Sequence, residues 1–176
     1  IETVAGKLYC HRTRDNNVSV NMGIVKTNWA EIPLIQPADT SRVQLEDAPF
    51  TEWCCVNIGN PHAVFFCDDA DSVDLRAIGP ILEKNKMFPK GANIEFATLK
   101  SNNQIRMRVW ERGAGITEAC GSGACAVLVA SARNGLTGRR AEVILDGGSL
   151  DIEWVDDGSI LMTGPTTVSF RGEISV

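Results

Sequence analysis

One cysteine stands where chemistry is easiest to build. Glu111 to Ala126 reads ERGAGITEACGSGACA, and Cys120 directly precedes Gly-Ser-Gly and an apolar helical run. A helix N-terminus carries unpaired N–H groups and a partial positive charge. Such a position can draw a thiol toward thiolate and can hold a carboxylate. A thiol beside a bound carboxylate suits proton transfer at the α-carbon of an amino acid. For an isolated cysteine, inert packing is the commoner role, but Gly115, Gly121 and Gly123 let backbone approach a ligand here. Cys125, one turn further on, is read as packing because it lacks the helix-start position.

Three other short segments carry polar groups. Gly59-Asn60-Pro61-His62 is turn chemistry, yet it sets an amide and an imidazole beside each other. Gly91-Ala92-Asn93 is by itself an ordinary turn. Glu111-Arg112 offers an acceptor for an ammonium and a fork for a carboxylate; on an open surface the same pair would be worth little.

The elements that must position these groups are mostly strands. Candidates are Thr3–Tyr9, Ser19–Met22, Phe50–Ile58, His62–Cys67, Ile94–Leu99 and Gln104–Trp110, then Glu142–Leu145, Ser149–Trp154, Ile160–Thr163 and Thr167–Ile174. Asn102-Asn103, Gly147-Gly148 and Asp157-Gly158 read as hairpin turns, which favours antiparallel pairing. Helices are predicted over Val73–Lys84, capped by Asp71 or Ser72, and over Gly121–Arg133, stopped by Asn134-Gly135. The second helix is apolar on most sides, as buried helices are. Residues 31–48 read as a long, polar, irregular connection. The predicted class is α+β, a mostly antiparallel sheet wrapped around a central helix.

Composition narrows the function. The 176 residues carry a net charge of −5, with no basic cluster beyond Arg139-Arg140. That disfavours nucleic-acid and membrane-surface partners, and no apolar run is long enough to span a bilayer. The six cysteines lack paired metal-ligand spacing, so no metal site is predicted. Cys54, Cys55 and Cys67 read as apolar fillers in a reducing cytoplasm. The chain opens on Ile1 and enters a strand at once, which reads as a cut or truncated polypeptide.

Taken together, GNPHAV at Gly59–Val64, GANIEF at Gly91–Phe96 and ERGAG-x-T-x-ACGSGA at Glu111–Ala124 strongly resemble the diaminopimelate epimerase family. Gly164-Pro165 and the opening IETVAGKLYC fit as well, so the resemblance covers nearly the whole chain. Ile116 departs from the glutamate usual there, at a position read as facing away from substrate. The resemblance implies one half of a pseudo-symmetric, two-domain fold, each domain giving one cysteine to a cofactor-independent acid/base pair. No counterpart of the first domain's CGNGAR-like motif occurs here. By the resemblance, residues 1–166 are the carboxy-terminal domain, roughly a domain's length is missing before Ile1, and 167–176 is a tail strand returning to the missing half.

The resemblance further implies that Cys120 is the second acid/base, with His62 and Glu111 at the reacting amino-acid end. Gly121 and Ser122 would hold the α-carboxylate through their N–H groups. Asn60, Asn93 and Arg112 would recognise the distal amino-acid end of diaminopimelate. Partners implied are a small amino-acid substrate and the missing amino-terminal half, with a homodimer left open. The chain alone would be an inactive half-enzyme. Two other readings stand beside this one: a related cysteine racemase of the proline racemase kind, whose motif is closer to Pro-Cys-Gly-Thr-Gly, and a non-catalytic module that captures a carboxylate.

Overall fold

A computed structural model describes residues 1–3, 6–45, 48 and 50–173. Its strands are β1 (Glu2–Thr3), β2 (Gly6–Lys7), β3 (Tyr9–Arg12), β4 (Val18–Ile24), β5 (Cys54–Asn57), β6 (Pro61–Phe66), β7 (Asn93–Ser101), β8 (Gln104–Glu111), β9 (Gly115–Ile116), β10 (Arg140–Leu145), β11 (Gly148–Trp154) and β12 (Ser159–Gly164). The helices are α1 (Leu75–Glu83) and α2 (Gly121–Arg133). The main sheet runs β3-β4-β12-β11-β10-β8-β7-β6-β5, with β9 beside β8. Beyond β4, Lys26 bonds back to Asn57 of β5 through both backbone groups. The sheet therefore curls until its two ends meet.

Inside that curl lies α2. Gly123 through Ser131 are all buried, because this helix touches β5, β6, β7, β8, β10, β11 and β12. Small residues such as Ala124, Cys125, Ala126 and Ala130 let strands approach from every side, as a central helix requires. The predicted class and the bounds Gly121–Arg133 both match. The anticipated turns at Asn102-Asn103 and Asp157-Gly158 join β7 to β8 and β11 to β12, whereas the turn between β10 and β11 falls at Asp146-Gly147, one residue before the Gly147-Gly148 expected, with Gly148 already pairing in β11.

Pairing is not wholly antiparallel. β6 pairs parallel with β7 across α1, and β8 pairs parallel with β10 across α2. Parallel neighbours need a long crossover, and each helix supplies one. Strands covered on both faces become continuously apolar, which explains why β5, β6 and the first part of β7 do not alternate. On β5, Cys54 faces the α2 core while Cys55 faces a second core with Trp53, Phe96, Leu75 and Leu82.

Several expectations are corrected. The first helix begins at Leu75 rather than Val73, because the Asp74 side chain accepts the Ala77 N–H and caps it; Asp71 and Ser72 belong to a short 3-10 turn. The connection over 31–48 is not a solvated loop: Ile32, Leu34, Val43 and Leu45 are buried in the second core, although Glu46 and Asp47 lie outside the described residues. The single strand expected over Thr3–Tyr9 is divided between the β1–β2 pair and β3, and Val4 and Ala5 lie outside the described residues. Residues 165–173 form no strand and are exposed throughout, Phe170 at 86%; Ile174–Val176 of the expected tail strand lie outside the described residues.

Candidate functional site

Register brings the polar segments together at one end of the sheet. His62 on β6 lies beside Asn93 on β7, and Ile94 faces Trp110 on β8. The turn before β6, the start of β7 and the end of β8 are therefore neighbours. From Glu111 the chain turns through β9, and α2 then starts under the same edge. Trp110 anchors this end. Its Nε1 donates to Glu83 Oε2 at 2.7 Å, and the other oxygen of Glu83 accepts the Gly113 N–H at 3.1 Å. A Cβ on Gly79 of α1 would lie 2.4 Å from the Trp110 ring. Only glycine lets that helix come so near.

Cys120 is the cap of α2. Its Sγ accepts the Gly123 N–H at 3.3 Å and lies 3.6 Å from Ser122 Oγ. Gly121 and Ser122 occupy the first turn, where N–H groups have no intrahelical acceptor, and no other acceptor reaches them among the described residues. Met162 of β12 packs over Gly121. The sequence leaves the protonation of Cys120 open, and its surroundings favour the thiol. Cys120 is only 5% exposed, and burial, the largest cause, pushes its thiol up to about 12. The helix-start donors act in the opposite direction but are outweighed. Cys125 is fully buried and its thiol is pushed higher still by burial.

The flanking groups differ in what they leave free. His62 is completely buried. Its Nδ1 lies 2.6 Å from Glu95 Oε1 and its Nε2 lies 2.9 Å from Asn60 Oδ1. Asn93 is also buried; it donates to the Pro61 carbonyl at 3.2 Å and accepts the Arg112 N–H at 2.9 Å. It thus ties the turn before β6 to the Glu111-Arg112 segment and keeps one spare amide N–H. Glu111 accepts a bond from Thr117 Oγ1. The Arg112 guanidinium is held by the carbonyls of Lys90 and Gly91 and is otherwise exposed. Among the described residues no cluster of three His, Cys, Asp or Glu side chains could hold a metal ion, and no helix is long and apolar enough to cross a membrane. A groove of about 600 Å³ lined by Gln104, Arg140, Asp151 and Thr163 contains none of these groups.

Residues 54–169 match the family model for diaminopimelate epimerase. The chain belongs to the diaminopimelate epimerase family. A diaminopimelate epimerase of Rhodospirillum centenum is 55% identical over 99% of this chain, and one of Acidiphilium cryptum is 48% identical over 99%. The chain spans 60% and 63% of the length of those two relatives. A hydroxyproline epimerase from Agrobacterium vitis shares the fold, with a TM-score of 0.63 at 14% identity over 93% of this chain and 55% of that one.

For a member of this family, all the residues singled out in the sequence fall at one end of the sheet, around the start of α2. They are unequal in access. Asn60, Glu111, Arg112, Gly121 and Ser122 are partly or fully open, whereas His62 and Asn93 stand behind them. Sequence reasoning missed Glu95. It lies inside the GANIEF segment, but a glutamate within a strand carries no signal of its own unless the strand is known to be buried on both faces.

Proposed function

We propose that this chain supplies one acid/base cysteine, Cys120, to a cofactor-independent epimerase that inverts the α-carbon of diaminopimelate between the LL and meso forms. The observation that carries the reading is a buried thiol capping α2 beside the unpaired N–H groups of Gly121 and Ser122. A substrate α-carboxylate on those donors would bring its α-carbon to Sγ. As the α-proton leaves, the carboxylate becomes enediolate-like and the same donors hold the growing charge. One such donor is worth roughly 2.7–4 kcal/mol in comparable sites.

Because the unliganded thiol is held protonated, Cys120 begins as the proton donor. A second base must then act on the opposite face of the α-carbon. Cys125 cannot serve, being enclosed by the helix and its strands. The second thiol comes from a segment outside these residues, and with it the wall that excludes water. Residues 1–166 act as the carboxy-terminal half, and 167–176 cross to that other segment. Glu111 receives the substrate ammonium, with His62 behind it acting at Nε2 once Asn60 turns to the ligand. Arg112 and Asn60 read the distal end, and Asn93 lends its spare N–H. Lysine and cell-wall precursor synthesis is the corresponding biology.

The test is α-proton exchange of diaminopimelate in deuterated water, followed by NMR. The chain alone should exchange nothing measurable. Joined to the part of the Rhodospirillum centenum relative that it does not span, it should exchange, and Cys120→Ser should lower that rate by about 10²-fold or more. Exchange at the parent rate in the Cys120→Ser chimera would overturn the proposal.

A further inference from the structure

Glu95 is the one titratable side chain at this end of the sheet to which no role has been given. It projects from β7 toward α2, between inward neighbours that include Ala97, Met107 and Val109. It is completely buried. Oε1 meets His62 Nδ1, and Oε2 is buried with no hydrogen-bond partner among the described residues. The carboxyl also sits against the start of α2. A Cβ on Gly123 would lie 3.0 Å from Glu95 Oε1 and 3.2 Å from Cys120 Sγ. Glycine at 123 is therefore what allows the carboxyl and the thiol to flank the same point. The titratable groups that face Glu95 are His62 from β6, Glu111 from β8 and Cys120 from α2; Cys55 of β5 lies on the other face of the sheet, in the second core.

Proton counting limits what this pair can be. Asn60 Oδ1 can only accept, so the proton facing it sits on His62 Nε2. One further proton lies between Nδ1 and Oε1. If Glu95 were a carboxylate, His62 would be an imidazolium, and Oε2 would be a buried, charged oxygen with no donor. If Glu95 is the acid, it donates from Oε1 to Nδ1, Oε2 is a carbonyl oxygen, and no charge is buried. Burial without compensating donors favours the second arrangement. Burial also raises the Glu95 carboxyl above the usual carboxylate range, against the opposing pull of His62.

We propose that Glu95 is a positioning residue of this site: held as the neutral acid, it donates to His62 Nδ1, fixing the imidazole as the Nε2–H tautomer behind Cys120. Its relevance to catalysis rests on the epimerase reading above, but the tautomer does not.

Long-range ¹H–¹⁵N NMR of the full chain labelled with ¹⁵N-histidine tests this directly. The chain has two histidines, and His11→Gln on exposed β3 assigns the signals. At neutral pH His62 should show the neutral Nε2–H pattern. Glu95→Gln should preserve it, since an amide N–H can replace the acid as donor to Nδ1. Glu95→Leu should lose it and give mixed tautomers. An imidazolium pattern in the parent that becomes neutral in Glu95→Gln would overturn the proposal, as would a parent Nδ1–H tautomer. If Glu95→Leu does not fold, the parent and Glu95→Gln comparison still decides. In the active chimera, Glu95→Leu should lower kcat by about tenfold with little change in KM, and Glu95→Gln should restore most of it. A chimera without activity for any variant would defeat the epimerase reading while leaving the tautomer result standing.

Discussion

Cys120 should be among the slowest thiols of the folded chain to alkylate at neutral pH, despite its place at a helix start. Its ordinary value is 9.0, and burial, the largest cause, pushes it up to about 12. At any pH well below 9 that shift lowers the thiolate fraction roughly a thousandfold. The helix start offers one N–H bond at 3.3 Å and a weak contact at 3.6 Å, too little to offset desolvation of an almost fully buried sulfur. The assay is iodoacetamide labelling across alkaline pH, read peptide by peptide by mass spectrometry, with exposed Cys10 as the reference in the same chain. The rate at Cys120 should keep climbing beyond pH 10, and Glu111→Gln should move its midpoint down by removing a nearby carboxylate. The linkage has a definite sign. A raised folded value means the native state binds the thiol proton more tightly, so stability is full below pH 9 and falls as pH rises toward 12. The loss is roughly 4 kcal/mol for a shift of this size. Urea unfolding at rising pH should therefore show a shallower alkaline decline in Cys120→Ser than in the parent. A Cys120 midpoint at or below 9, or faster labelling than Cys10 at neutral pH, would refute the reasoning that burial outweighs the helix start.

Two further predictions concern the frame of the site. Glu83→Ala removes the acceptor for both Trp110 Nε1 and the Gly113 N–H; it should cost about 3 kcal/mol in urea unfolding, since bonds to a charged acceptor are the stronger kind, and should speed amide exchange at Gly113 first. Asp71 is held below the usual carboxylate range by its bonds to Arg106. A lowered folded value stabilises above the unfolded value and is lost as pH falls through the folded one, so Asp71→Asn should cost a modest amount of stability at pH 7, where the half-exposed pair is present in full, and should converge on the parent as pH falls below about 4.

How far the sequence could be read follows from where its signals are local. Hairpin turns at Asn102-Asn103 and Asp157-Gly158 are local, and so are the caps and stop of α2; each was legible, and Gly147-Gly148 marked its turn to within one residue. Parallel pairing is not. That β8 lies beside β10 depends on α2 filling the space between them, and nothing within either strand records it. The connection over 31–48 misled because its apolar residues are single and widely spaced among polar ones, and only the second core shows what they bury. At the site, the cysteine, imidazole, amides and charged pair were found because their types suit chemistry at a turn or helix start.

Two gaps at the site share a cause. Glu95 was overlooked and the protonation of Cys120 stayed open because both depend on burial, which is a property of the assembled layers. The strand that carries Glu95 is covered on one face by α2 and on the other by the second core. A carboxyl there has no solvent and only His62 for a partner, so its proton is retained. The thiol above it inherits the same low-polarity surroundings. A helix start exposed to water would favour thiolate; the same helix start drawn inside a closed sheet favours thiol. On the epimerase reading proposed above, one thiol gives a proton while another takes one, and a buried helix start suits Cys120 to the giving role.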